Sequence, residues 1–118
     1  MRMGIARAAL AAGLLGSATG ITLGMAFAEP GDAAIQINNY VYGPKVITVR
    51  AGTTVTWTNQ DYVPHTVIST TQLFRSSVFF TNDTFAFTFT TPGTYEYYCT
   101  IHPKMTGTVV VEDAATTP

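Results

Sequence analysis

The chain is poor in the groups that carry most protein chemistry. It has one cysteine, Cys99, and two histidines, His65 and His102, in 118 residues. A lone cysteine cannot close an internal disulfide, so Cys99 is a buried inert residue, a reactive thiol or a metal ligand. An oxidising compartment penalises a bare exposed thiol, and a bound metal would protect it. Charged residues make up only 11% of the chain and form no basic stripe, which argues against nucleic acid as a partner. No tract is rich in methionine or histidine, no internal repeat or second domain is visible, and no segment after residue 28 has helical periodicity.

Residues 1–28 read as an address. Arg2 and Arg7 give a positive start, residues 8–25 (AALAAGLLGSATGITLGM) are small and apolar, and Ala26-Phe27-Ala28 fits a signal-peptidase site. Cleavage after Ala28 is expected, with an uncleaved membrane anchor as the alternative. No arginine pair marks a twin-Arg route. The expected location is periplasmic or secreted, or membrane-anchored if the leader stays. Residues 29–118 hold Lys45, Arg50, Arg75 and Lys104 against Glu29, Asp32, Asp61, Asp83, Glu96, Glu112 and Asp113, a formal charge of −3. That length suits one domain with a single core.

What remains reads as strands. Residues 34–38 (AIQIN) and 53–58 (TTVTWT) alternate apolar and polar, and 46–50 (VITVR) is β-branched and stops at Ala51-Gly52. Residues 65–69 (HTVIS) predict a short strand, and 84–90 (TFAFTFT) puts Phe85, Phe87 and Phe89 on one face. Pro92-Gly93 breaks the chain before strands at 94–99 and 107–111. Residues 70–83 are expected to be loop with a short strand at Val78-Phe79-Phe80, and 114–118 a frayed tail. The fold class expected is all-β, an antiparallel sandwich with Greek-key links.

The scarce ligands are concentrated. Cys99-Thr100-Ile101-His102-Pro103-Lys104-Met105 holds three candidate metal ligands, His65 lies upstream, and the other methionines, Met1, Met3 and Met25, all precede residue 29. Period two puts Tyr95, Tyr97 and Cys99 on one inward face. A turn stiffened by Pro103 can return His102 over the thiolate, with Met105 approaching from the axial side. Two imidazoles, one thiolate and a weak thioether form the ligand set of a blue-copper electron-transfer centre. Zinc could occupy the two histidines and the cysteine, though it gains little from a thioether. Taken singly, each residue has a bland reading as core filler or solvated side chain.

These residues resemble the cupredoxins, small blue copper proteins, and above all the amicyanin-like group, with plastocyanin and pseudoazurin as relatives. The resemblance covers most of residues 33–113. It rests on 51–59 (AGTTVTWTN), Val63-Pro64-His65 and 92–105 (PGTYEYYCTIHPKM). The two-residue gap between His102 and Met105 resembles the short ligand loop of amicyanin. The likeness implies an eight-stranded Greek-key β-sandwich. It also implies one type 1 copper per chain on His65, Cys99, His102 and Met105, and electron shuttling by a monomer between transient partners such as a cytochrome or dehydrogenase. Thr66 stands where the family commonly has an asparagine that reaches across to the cysteine loop; Thr66 and Thr100 are expected beside the ligands. Tyr98, by likeness to plastocyanin, offers a second electron route or is plain surface.

His102, with Ile101, Pro103 and the Tyr62-Val63-Pro64 segment around it, is expected to form an apolar docking patch. Lys104 is a departure from the apolar residue of many amicyanin-like chains and should favour an acidic partner. The chain is expected not to be an enzyme: both histidines are used, so no second or open metal site remains. Copper storage or delivery is the alternative function.

Overall fold

The computed structural model describes residues 31–114. Eight strands occur there and no helix: β1 Asp32–Asn38, β2 Val41–Gly43, β3 Val46–Arg50, β4 Thr53–Asn59, β5 Ile68–Ser69, β6 Thr84–Phe89, β7 Gly93–Tyr98 and β8 Thr106–Glu112. They form two four-stranded sheets, ordered β2-β1-β4-β6 and β3-β8-β7-β5. The leader expected at 1–28 and residues 115–118 of the tail expected at 114–118 lie outside the described residues.

Strict alternation decides the layering. In β4, Thr53, Val55, Trp57 and Asn59 are buried while Thr54, Thr56 and Thr58 are half-buried on the other face. β1 contributes Ile35 and Ile37, β3 Val49, β7 Tyr97 and β8 Val109 and Val111 to the same interior. Trp57 sits at its centre, 5.4 Å from Tyr97 edge to face and 5.6 Å from Phe85. Phe89 is buried, while Phe85 and Phe87, on the same face, are half-buried against this core. On the outer face Thr54 and Thr88 share a cross-strand hydrogen bond of 2.6 Å.

The sandwich is not wholly antiparallel. β1 runs parallel to β4, pairing Ile35 with Trp57, and β3 runs parallel to β8, pairing Val49 with Val111. The cause is topological. The chain leaves the first sheet after β2, crosses to β3 in the second, and crosses back at Ala51-Gly52 to β4. Sheet neighbours are therefore not chain neighbours, and each crossing can invert the pairing sense.

Two local expectations are revised, and one strand is added. Residues 65–69 form a strand only at Ile68–Ser69. The amides of the preceding residues go elsewhere: Thr66 N–H to the Cys99 sulfur at 3.3 Å and Val67 N–H to the Ser76 hydroxyl at 2.8 Å. The segment 78–80 is not a strand. Phe79 alone makes a bridge to His65, exchanging both backbone hydrogen bonds at 3.0 and 3.1 Å. The three-residue strand β2 has no counterpart in the sequence reading, although its Tyr42 is buried.

Candidate metal centre

One end of the sandwich gathers the loop from β4 to β5, the turn from β7 to β8 and the turn from β1 to β2. The first loop is built from Asn59, the last residue of β4, which is fully buried. Its side-chain amide donates to the carbonyls of Val63 and Phe79 at 2.9 and 3.1 Å, and its carbonyl accepts from Asp61 N–H at 2.8 Å. The loop is thereby folded back on β4, and the bridge to Phe79 fixes His65 from the other side.

His65 is fully buried, and its Nε2 meets the Asp61 carboxylate at 2.8 Å. Nε2 is then the donor nitrogen, which leaves Nδ1 with a free lone pair directed at the cysteine. Burial opposes ionisation of Asp61. The amide of Tyr40, the ring of His65 and the amide of Asn39 offset it and hold the carboxyl below its ordinary range. Sequence reasoning missed Asp61. Its signal is position: an acid four residues before a candidate ligand histidine.

Cys99 follows β7 directly and is fully buried, on the inward face shared with Tyr97. A compact turn returns the chain. Met105 N–H donates to the His102 carbonyl at 2.8 Å, and Cys99 N–H donates to the Met105 carbonyl at 3.0 Å. Thr66 ties this turn to the His65 loop: its hydroxyl accepts from Thr100 N–H at 2.8 Å and lies 2.9 Å from the Thr100 hydroxyl. The shorter threonine thus does bridge to the cysteine loop, through both the backbone amide and the hydroxyl of Thr100. Thr66 N–H and hydroxyl also face the sulfur, at 3.3 and 3.7 Å.

His65 Nδ1 and His102 Nδ1 each lie 3.8 Å from Cys99 Sγ, and the three donor atoms fall within 4.8 Å of one another. Metal bonds of about 2.0 Å to imidazole nitrogen and about 2.3 Å to thiolate sulfur, meeting at a trigonal angle, hold nitrogen and sulfur about 3.7 Å apart. The two nitrogen–sulfur separations suit a first-row metal ion. The cupredoxin-like domain family matches residues 6–111. The chain belongs to that family. It is 37% identical over 89 residues to amicyanin of Paracoccus versutus, spanning 70% of this chain and 67% of the relative. It is 35% identical over 112 residues to amicyanin-alpha of Methylorubrum extorquens, spanning 91% and 88%. Among solved structures, a novel purple cupredoxin from Nitrosopumilus maritimus superposes with a TM-score of 0.65 at 40% identity, covering 68% of this chain and 99% of that one. In this cupredoxin His65, Cys99 and His102 are arranged as a copper site, and copper is its cofactor.

Around the site, Met105 is buried at 6% exposure and belongs to the core cluster. His102 is half-buried and opens on a shallow basin of about 520 Å³ lined by Tyr40, Ile101, His102, Pro103, Lys104 and Met105. Ile101, Pro103 and Lys104 are brought together as expected. Half-buried Pro64 does not line this basin, and neither does Tyr62, which is almost wholly exposed. Their place is taken by Tyr40, a residue the sequence reading passed over. Tyr98 is half-buried and lines a separate groove with Lys45, Glu96 and Pro103.

Proposed function

We propose that this cupredoxin is a blue copper electron carrier. It would be exported by the leader at 1–28, cleaved after Ala28, to the periplasm or cell exterior. If the leader is kept, it would be membrane-anchored. One copper, cycling between Cu(II) and Cu(I), supplies a one-electron couple. The observation that carries the reading is the pair of 3.8 Å separations between buried Cys99 Sγ and the two histidine Nδ1 atoms. Met105 would complete the set as a fourth, weaker ligand. This is supported by its burial and by the two hydrogen bonds that lock its backbone to His102 and Cys99.

The residues have distinct parts. Asp61 orients His65, and Thr66 and Thr100 join the two ligand loops, so the donors stay in place in both oxidation states. His102, the ligand that reaches the basin, is the exit for the electron. Ile101 and Pro103 give the basin an apolar floor for brief docking, with Lys104 adding one positive charge. Tyr98, one peptide bond from Cys99, is a second route. The partners are transient redox proteins, such as a cytochrome or a dehydrogenase. The protein works as a monomer and catalyses no reaction of its own.

The test is spectroscopic. Copper(II)-loaded protein should show an intense blue or purple thiolate band and a narrow copper hyperfine splitting in EPR, both lost in Cys99→Ala. A colourless protein that binds copper loosely would remove the carrier reading and leave copper storage or delivery.

A further inference from the structure

Tyr40 occupies a position that a tight turn would assign to another residue. The chain passes from β1 to β2 through Asn39 and Tyr40 alone, with Asn38 paired to Val41. Both turn residues have positive φ, 54° and 63°. That is the signature of a type I′ turn, whose preferred sequence is Asn-Gly. Asn39 suits it. A tyrosine does not, because its Cβ crowds the backbone in the left-handed region, and glycine would relieve the strain. The strained turn is held from outside: Asp61 Oδ1 accepts Asn39 N–H at 2.7 Å and Oδ2 accepts Tyr40 N–H at 2.9 Å. Burial does not account for keeping the ring, which is 48% exposed. Its contacts do. The Tyr40 ring stands edge-on to His102 at 4.7 Å and 84°, and to His65 at 5.5 Å and 89°. Strained residues gather where the strain serves a site.

We propose that Tyr40 is a positioning residue of the metal centre, its ring bracing both ligand imidazoles and His102 above all. The proposal builds on the reading of these histidines as copper ligands. His65 already has Asp61 on Nε2 and is fully buried. His102 comes from an exposed turn and is half-buried, so it has most to gain from a neighbouring ring. One carboxylate serves both arms: Asp61 holds His65 directly and holds the turn that carries the brace to His102.

The experiment compares the full chain with Tyr40→Gly, Tyr40→Asn and Tyr40→Phe. Glycine and asparagine accept positive φ without a ring, and phenylalanine keeps the ring. In metal-free protein, the His102 ring signals in NMR should shift and broaden in the two ringless variants and stay close to the parent in Tyr40→Phe. In copper(II)-loaded protein, extraction by EDTA should be about ten-fold faster without the ring and unchanged in Tyr40→Phe. His102 signals and extraction rates equal to the parent in both ringless variants would overturn the proposal. A parent protein without a thiolate–copper band would sink the electron-carrier reading, while the metal-free NMR comparison would still decide whether Tyr40 orders His102.

Discussion

Single residues at this end of the molecule are set by close approach and by buried polar groups. Gly107, the second residue of β8, lies against the Tyr97 ring, and a Cβ there would overlap the Tyr97 hydroxyl. Gly107→Ala should therefore destabilise the metal-free protein by about 1–3 kcal/mol, read from urea unfolding. A change within error would mean that Tyr97 swings aside freely. Thr66→Val keeps the shape but leaves Thr100 N–H without its acceptor, and should cost about 1–2 kcal/mol, with Thr66→Ser close to the parent. Tyr42 gives a pH dependence. Burial, then Cys99 and Tyr97, push its phenol above the ordinary value of 10.0, and it donates to the Thr66 carbonyl at 2.6 Å. A raised folded value favours the neutral phenol, so this stability is complete below the unfolded pKa and lost as pH rises beyond it. The urea midpoint of the metal-free protein should fall more steeply above about pH 10 than that of Tyr42→Phe. Parallel slopes would contradict this. The four ligand candidates were legible at this scale because each residue type is so scarce after residue 28. Asp61, Asn59 and Tyr40 were not, because aspartate, asparagine and tyrosine are ordinary loop residues until their partners are known.

Elements follow the alternation of the chain where a sheet ladder receives their hydrogen bonds, and depart from it where other groups do. β3 and β4 begin where the pattern places them, and β4 runs one residue further. The expected strand at 65–69 shrinks to two residues because its first amides are spent on the Cys99 sulfur and Ser76. β2 escaped notice because three residues are too short for alternation to register. The β1–β2 turn and the His65 loop act as one unit through Asp61, whose two oxygens meet Asn39 N–H, Tyr40 N–H and His65 Nε2. Asp61→Asn leaves one oxygen for three donors and turns an amide NH₂ toward them. It should lower the unfolding free energy of the metal-free protein by about 1–3 kcal/mol. An unchanged urea midpoint would show that the turn holds itself.

On the scale of the whole molecule, copper would join elements distant in sequence. His65 lies on the crossover between the two sheets, and Cys99 and His102 lie on the turn between β7 and β8. The surface above them is mostly apolar with one cation, Lys104, on a domain whose residues 29–118 carry a formal charge of −3. Electron transfer to an acidic redox protein should slow as salt is added, and Lys104→Phe should flatten that dependence. Equal salt slopes in parent and variant would remove Lys104 from steering.

The sequence by itself determined the all-β class and the ligand candidates. Period-two alternation and a near absence of competing donors are properties of the chain alone. Only the tertiary structure decided the parallel pairings of β1 with β4 and β3 with β8, since crossing order is not written in any one strand. It also decided what surrounds the ligands. Asp61 reaches His65 and the β1–β2 turn together, and Tyr40 reaches both imidazoles, because the fold brings residues 21 to 62 positions apart to one end of the sandwich. Contacts of that kind depend on where the loops meet in space.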